Sequence, residues 1–184
     1  MLNKGIMAPN FEVIDIYGNQ RALSYYRGKK LMISFYRYAS CVFCNLRIAQ
    51  LIKIYPELHT QNIDFLAFFQ SPKEKILEYA GSQKPPFPII PDPEHTIYKK
   101  YEVEESSKRK YFMGLLNINK LQEAQTYHFA KGAKDGDLYL VPADFLIDEN
   151  QIIQTAYYGK DISDHLPIDR IREFVKNDVN SNKT

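Results

Sequence analysis

The chain has 184 residues, 45% hydrophobic and 25% charged, which is ordinary globular usage and enough length to bury one core. Its 24 Lys and Arg stand against 22 Asp and Glu, a net charge of +2 that excludes the electrostatic footprint expected for nucleic acid or an anionic membrane. No segment reaches the ~18 apolar residues of a membrane span and the first residues carry no signal-type apolar stretch, so the expectation is a cytoplasmic protein.

In chain order, Phe11–Ile16 alternates as a strand, Tyr17-Gly18-Asn19 reads as a turn, and Gln20–Leu23 returns as its partner. Leu31–Tyr36 is a continuous apolar, β-prone run, the pattern of a central strand covered on both faces. From Val42 to about Leu58, Ile48, Leu51, Ile52, Tyr55 and Leu58 recur at helical spacing, with Pro56 a candidate kink. Ile63–Phe69 is a second buried-type strand, and Ser71-Pro72 reads as an N-cap with proline at the first helical position, opening a helix through about Gly81. The β-α-β-α order favours parallel strands joined by right-handed crossovers.

Residues 84–92 hold four of the ten prolines and leave room for only a short extended piece. Pro93–Tyr101 resumes a helical pattern. The stretch 104–137 is read as an insertion with its own short helices: 104–110 is a solvated charge cluster, Phe112–Glu123 a helix, and 131–136 a loop. Ala143–Asp148 and Ile152–Tyr158 then form an antiparallel hairpin about Glu149-Asn150, and a last helix runs from Asp164 to about Asp178 before a frayed end at 180–184. One domain spans residues 1–184 on this reading.

The two cysteines, Cys41 and Cys44, stand where the first long strand hands over to the first long helix. A helix start offers unpaired N–H groups and the positive end of the macrodipole, both of which favour thiolate over thiol. Cys-x-x-Cys thiols placed this way can have pKa values of roughly 3.5–7.5. In a reducing compartment such a pair reads as redox-active, so no cofactor beyond the cysteines is expected. Two small buried hydrophobes or a structural disulfide is the bland alternative. A closed zinc site would need four ligands, whereas His59, His95, His128 and His165 stand singly, so no metal is expected. Arg37 is the cation placed to favour a thiolate.

The element order, with Cys-x-x-Cys at the first strand-to-helix junction and Pro142 entering the late hairpin, resembles the thioredoxin fold: α/β, a central mixed sheet flanked by helices. Met7-Ala-Pro-Asn-Phe11, Asp15-Ile-Tyr-Gly18, Tyr26-Arg-Gly-Lys-Lys30, Phe35-Tyr36 and Phe145-Leu-Ile-Asp148 are similar, as an ordered set from about residue 6 to 176, to its peroxiredoxin-like (AhpC/TSA, redoxin) branch. That branch carries Pro-x-x-x-Thr-x-x-Cys, and the corresponding positions here are Arg37, Cys41 and Cys44, so Cys44 takes the peroxidatic position. The arginine usual before the Phe-Leu-Ile-Asp strand is replaced by Leu140-Val141-Pro142, leaving Arg37 or Arg47 to substitute. Cys41-Val-Phe-Cys44 with Val141-Pro142 is similar instead to the thioredoxin arrangement, in which a cis-proline loop faces the dithiol.

The resemblance and the motif together imply a thiol-disulfide oxidoreductase in which Cys41, expected to be the more exposed, attacks and Cys44 resolves. Its partners would be a protein or small-molecule disulfide and a reducing thioredoxin-type protein or low-molecular-weight thiol. A thiol peroxidase with Cys44 peroxidatic and Cys41 resolving is the alternative, and a non-enzymatic redox-sensing module the third reading. Asp164 and His165 are expected to be a helix cap beside an ordinary histidine.

Overall fold

The computed structural model describes residues 1–103, 107–130 and 132–176. Glu12–Ile14 (β1) and Gln20–Ala22 (β2) form an antiparallel hairpin of their own. Its turn is organised by Asp15, whose carboxylate accepts from the Tyr17 and Asn19 backbone N–H groups and from Arg21. Lys30–Phe35 (β3) is the centre of a five-stranded sheet because all six residues are buried and no face of it meets water. Ile63–Phe69 (β4) and Ile89–Pro91 (β5) extend that sheet in parallel on one side. Ala143–Ile147 (β6) and Ile153–Tyr158 (β7) extend it antiparallel on the other, giving the order β5-β4-β3-β6-β7.

Period-two alternation divides the core between the two faces of the sheet. Met32, Phe65, Ala67 and Phe69 pack with Val42–His59 (α1), Lys73–Glu78 (α2) and Ile168–Lys176 (α6). Leu31, Ile33, Phe35, Leu66 and Phe68 pack with Phe145 and with Thr96–Lys100 (α3), through Ile97, Tyr98 and the following Tyr101. The 18-residue α1 carries Pro56 in its last turn, where the ring removes one intrahelical bond. Burial of Leu51, Ile54 and Leu58 keeps the helix going through it.

Helix boundaries differ from those the sequence suggests at several points: α2 ends at Glu78, short of Gly81, and α3 starts at Thr96 rather than Pro93. Ser71 does not cap α2, because its hydroxyl accepts from the Ala39 N–H and so serves the loop after β3. Phe112–Glu123 is not one helix: Lys108–Leu115 (α4) ends and Ile118–Thr126 (α5) restarts at Asn117, whose side chain accepts from the Lys120 N–H as an N-cap. The last helix starts at Ile168 rather than Asp164, since Asp164 is engaged by Tyr157 and by the Lys160 N–H in the turn before it. Its expected final residues, the frayed end and part of the 104–110 charge cluster lie outside the described residues.

Tyr98 ties α3 to the sheet edge of the site, its hydroxyl donating to the carbonyls of Tyr36 at 2.5 Å and Phe68 at 2.8 Å. Tyr98→Phe strips the Tyr36 carbonyl of this donor inside the core. The expected loss in urea unfolding is about 1–3 kcal/mol, the cost of an unsatisfied buried acceptor.

Candidate active site

Between β3 and α1 the chain runs through six residues, 36–41, and many of its backbone groups are hydrogen-bonded. The Tyr36 N–H donates to Phe68, the Arg37 carbonyl accepts from the Gln70 N–H, and the Cys41 N–H donates to Tyr38. Asn45, one turn into α1, reaches back with its side-chain amide to the carbonyls of Ala39 at 2.7 Å and Cys41 at 2.9 Å, while its own oxygen accepts from Gln83. Cys41 therefore sits as the N-cap residue of α1 in a fixed loop, and Cys44 follows on the first turn. Both are free thiols in this structure.

The two sulfurs have opposite electrostatic surroundings. Burial alone would push the Cys41 thiol up. A hydrogen bond from the Cys44 thiol, the charge of Arg37 and the N–H groups of Cys44 and Phe43 outweigh it and bring Cys41 down to about 6. Cys44 is held well above an ordinary thiol, first by burial and then by its hydrogen bond to Cys41 and the charge there. The charge of Arg37 lowers both thiols, and its Nη1 donates to the Cys41 sulfur at 3.4 Å; the interaction between the two sulfurs is what drives them apart.

Arg37 is 1% exposed, so it is an interior charge and not a surface one. Its Nη2 donates to the Leu138 carbonyl, and its guanidinium lies 5.0 Å from the Tyr38 ring centroid and 5.6 Å from that of Tyr111. Tyr111 belongs to the stretch 104–137 read as an insertion and Leu138 directly follows it; this part of the chain folds back over the loop. Ser40 donates to the Ala133 carbonyl at 2.7 Å, and Gln70 accepts from the Asp137 N–H at 2.7 Å. Gly132 lies so close to the Tyr79 ring that a Cβ there would collide with it.

This covering qualifies one expectation: both cysteines are buried, Cys41 at 2% and Cys44 at 1% exposure, so exposure hardly distinguishes them. Beside the covered loop an apolar cavity of about 470 Å³ lies between Tyr38, Ser40 and Val42 on one wall and Leu121, Ala124 and Phe129 on the other.

Pro142 also departs from expectation. The described residues hold no cis peptide bond, so the Val141–Pro142 link is trans, and the Pro142 carbonyl accepts from the Gly159 N–H at the mouth of the β6–β7 ladder. Arg47 is buried as well, but its Nη2 donates to the Leu166 carbonyl, so of the two arginines it is Arg37 that reaches the dithiol.

The ordinary histidine of the sequence reading is buried in a polar cluster. His165 Nδ1 lies 3.1 Å from Asp144 Oδ2, which also accepts from the Leu166 N–H at 2.7 Å. Burial lowers His165; burial would raise Asp144, but the His165 charge and hydrogen bond prevail and hold its carboxyl at about 2. The spacing of 21 residues along the chain gives sequence periodicity no means of showing this pair.

Residues 5–156 match the model of the AhpC/TSA family. The chain belongs to that family. Within it, the chain is 26% identical over 125 residues to Peroxiredoxin Bcp of Escherichia coli (strain K12), covering 67% of this chain and 80% of that protein. It is also 29% identical over 100 residues to the thiol-disulfide oxidoreductase ResA of Geobacillus kaustophilus, covering 54% of this chain and 57% of ResA. The fold of this AhpC/TSA member matches the crystal structure of the peroxidoxin BcpB from Mycobacterium tuberculosis with a TM-score of 0.68 at 14% identity over 100% of both chains. It matches the reduced 2-Cys peroxiredoxin of Plasmodium vivax with a TM-score of 0.70 at 18% identity, over 100% of this chain and 85% of that one. The mixed sheet with flanking helices is thus the thioredoxin-like arrangement, and the chemistry of this AhpC/TSA protein is thiol redox chemistry.

The electrostatic division gives a direct expectation. Alkylation of Cys41 by iodoacetamide follows a titration with its midpoint near pH 6, and in Arg37→Met that midpoint moves up toward the ordinary thiol range. Because the folded value lies below the unfolded one, the reduced protein gains stability from this group as pH rises from about 6 to the ordinary thiol range, and loses it as pH falls through about 6. Urea midpoints across that window measure the gain, and Cys41→Ser removes it.

Proposed function

We propose that the protein is a thiol-disulfide oxidoreductase whose redox group is the Cys41/Cys44 pair, with Cys41 the attacking thiolate and Cys44 the resolving thiol. The observation that carries this reading is the division of the two sulfurs, Cys41 lowered to about 6 beside Arg37 and Cys44 kept protonated. Cys41 attacks one sulfur of a substrate disulfide, forming a mixed disulfide and releasing a thiolate. Cys44 then loses its proton and attacks the Cys41 sulfur, expelling the second thiol and leaving the internal disulfide. A thioredoxin-type protein or a low-molecular-weight thiol returns the pair to the dithiol.

A second reading, peroxide reduction, is favoured by the burial of both sulfurs, which admits a small oxidant more readily than a folded disulfide protein. Its original form assigns the attack to Cys44, and the environment that keeps Cys44 protonated speaks against that assignment. The same division assigns the attack to Cys41: its thiolate takes the terminal peroxide oxygen to become a sulfenic acid as the O–O bond breaks and the other oxygen leaves, protonated, as water or an alcohol; the Cys44 thiol then condenses with the sulfenic acid, forming the disulfide and releasing water.

Cys41→Ser is expected to abolish reduction of bis(2-hydroxyethyl) disulfide with dithiothreitol as donor, while Cys44→Ser accumulates a mixed disulfide at Cys41 that intact mass reports. Turnover by Cys41→Ser would remove the assignment. Stopped-flow mixing with hydrogen peroxide separates the two readings: oxidation no faster than that of free cysteine leaves disulfide exchange alone.

A further inference from the structure

We infer that a cationic cavity on the flank of the Cys41–Cys44 turn takes a carboxylate of the substrate, which is therefore a low-molecular-weight disulfide that carries one. The inference deepens the reading of Cys41 and Cys44 as a disulfide-exchange couple and rests on it.

Helical spacing builds the cavity. Phe43, Leu46, Arg47 and Gln50 stand at i, i+3, i+4 and i+7, one face of α1 that begins inside the Cys-x-x-Cys turn. Together with Lys120 of α5 and with His165 and its neighbours in the turn before α6, they line a cavity of about 310 Å³. Ligand cavities run from roughly 300 to 1,000 Å³, so this one suits a small molecule and not a folded protein.

Its charge selects an anion. Arg47 is 5% exposed; its Nη2 donates to the Leu166 carbonyl, a neutral group, and its Nε has no partner. Lys120 Nζ donates to the Ser163 carbonyl, also neutral. Among the described residues neither cation is hydrogen-bonded to a carboxylate. The nearby acids are occupied. Asp164 accepts from the Tyr157 hydroxyl and the Lys160 N–H, Glu123 from the Gln50 amide, and Asp144 is held by His165 and the Leu166 N–H. Burial lowers His165, and against the pull of Asp144 the charges of Arg47 and Lys120 lower it further, so both cations act on one point of the wall. A carboxylate seated on Arg47 and Lys120 supplies the anion that both lack, through charge-assisted hydrogen bonds.

The cavity is also placed to serve the dithiol. Arg47 follows Cys41 by six residues, about 9 Å along the axis at ~1.5 Å per residue. Helix side chains lean toward the N-terminus, which shortens that span, so a short arm between sulfur and carboxylate fits. The Cys41 thiolate attacks one sulfur of the disulfide RSSR, the S–S bond breaks and RS⁻ leaves. Cys44 gives up its proton and attacks the Cys41 sulfur, and the second RS⁻ leaves with that proton as RSH. Two electrons pass to RSSR, and the Cys41–Cys44 bond remains.

The test mixes the reduced, desalted full chain at pH 7 with 3,3′-dithiodipropionate, which carries two carboxylates, or with neutral bis(2-hydroxyethyl) disulfide. Oxidation is read as the loss of two hydrogen masses, and each rate is divided by that of the same disulfide with free dithiothreitol to remove intrinsic reactivity. The corrected rate is expected to favour the dicarboxylate about tenfold, the size of one hydrogen bond to a charged group. Lys120→Met and Arg47→Met each lower the ratio of dicarboxylate to neutral rates about tenfold, whereas Lys53→Met, on an exposed part of α1 outside the cavity, leaves it. No preference in the wild type overturns the inference, as does a preference that Lys120→Met keeps or that Lys53→Met removes equally. Arg47 is buried, so if its variant does not fold, Lys120→Met decides alone. If neither disulfide oxidises the wild type, the disulfide-exchange reading fails, and suberate, in which two methylenes replace the sulfurs, decides the cavity by calorimetry. Binding weakened about tenfold in Lys120→Met supports the site; no binding, or equal binding in that variant, overturns it.

Discussion

Arg37 carries a permanent charge into a place that water does not reach, and the surrounding groups are arranged around the need to hold it there. Its hydrogen bond to Cys41 gives the charge an anion, its bond to Leu138 fastens the covering segment, and the Tyr38 and Tyr111 rings take its faces. A guanidinium suits this position because its planar fork can address a sulfur and a carbonyl at once. A lysine ammonium at the same place would act as one point charge on a flexible stem.

The two cysteines, three positions apart, differ in their electrostatic surroundings. Helix α1 presents its N–H groups to Cys41 at the cap, whereas Cys44 lies a turn inside and meets the negative charge of its neighbour. The loop that fixes this relation draws its anchors from β4 and its following turn, from α3 and from α1 itself, through Phe68, Ser71, Tyr98 and Asn45. The AhpC/TSA body thus serves as a holder for the dithiol.

Much of the fold was legible in the sequence. The runs at Leu31–Tyr36 and Ile63–Phe69 are buried on both faces, and such strands declare themselves by composition alone. Cys41 and Cys44 were legible because their spacing and their position at a helix start have a physical meaning. The covering of the site was not legible: Arg37 meets Leu138 across 101 positions, and the segment that brings Leu138 there is largely polar and carries little periodicity. Ser71 looked like a cap because local pattern cannot show that Ala39 competes for its hydroxyl. Pro142 looked like a cis proline only through resemblance, and the hydrogen bond from Gly159 accommodates it as a trans residue entering β6. Asp144 and His165 meet because β6 carries the aspartate beneath the turn before α6, a tertiary relation with no local trace.

The claim on which the rest depends is that Cys41 is the thiolate and Cys44 the thiol. Treating the reduced wild-type protein at pH 7 with less than one equivalent of iodoacetamide, followed by peptide mapping, reads this directly. The account predicts that the label lies on Cys41, with Cys44 left free. Label on Cys44 first would contradict it.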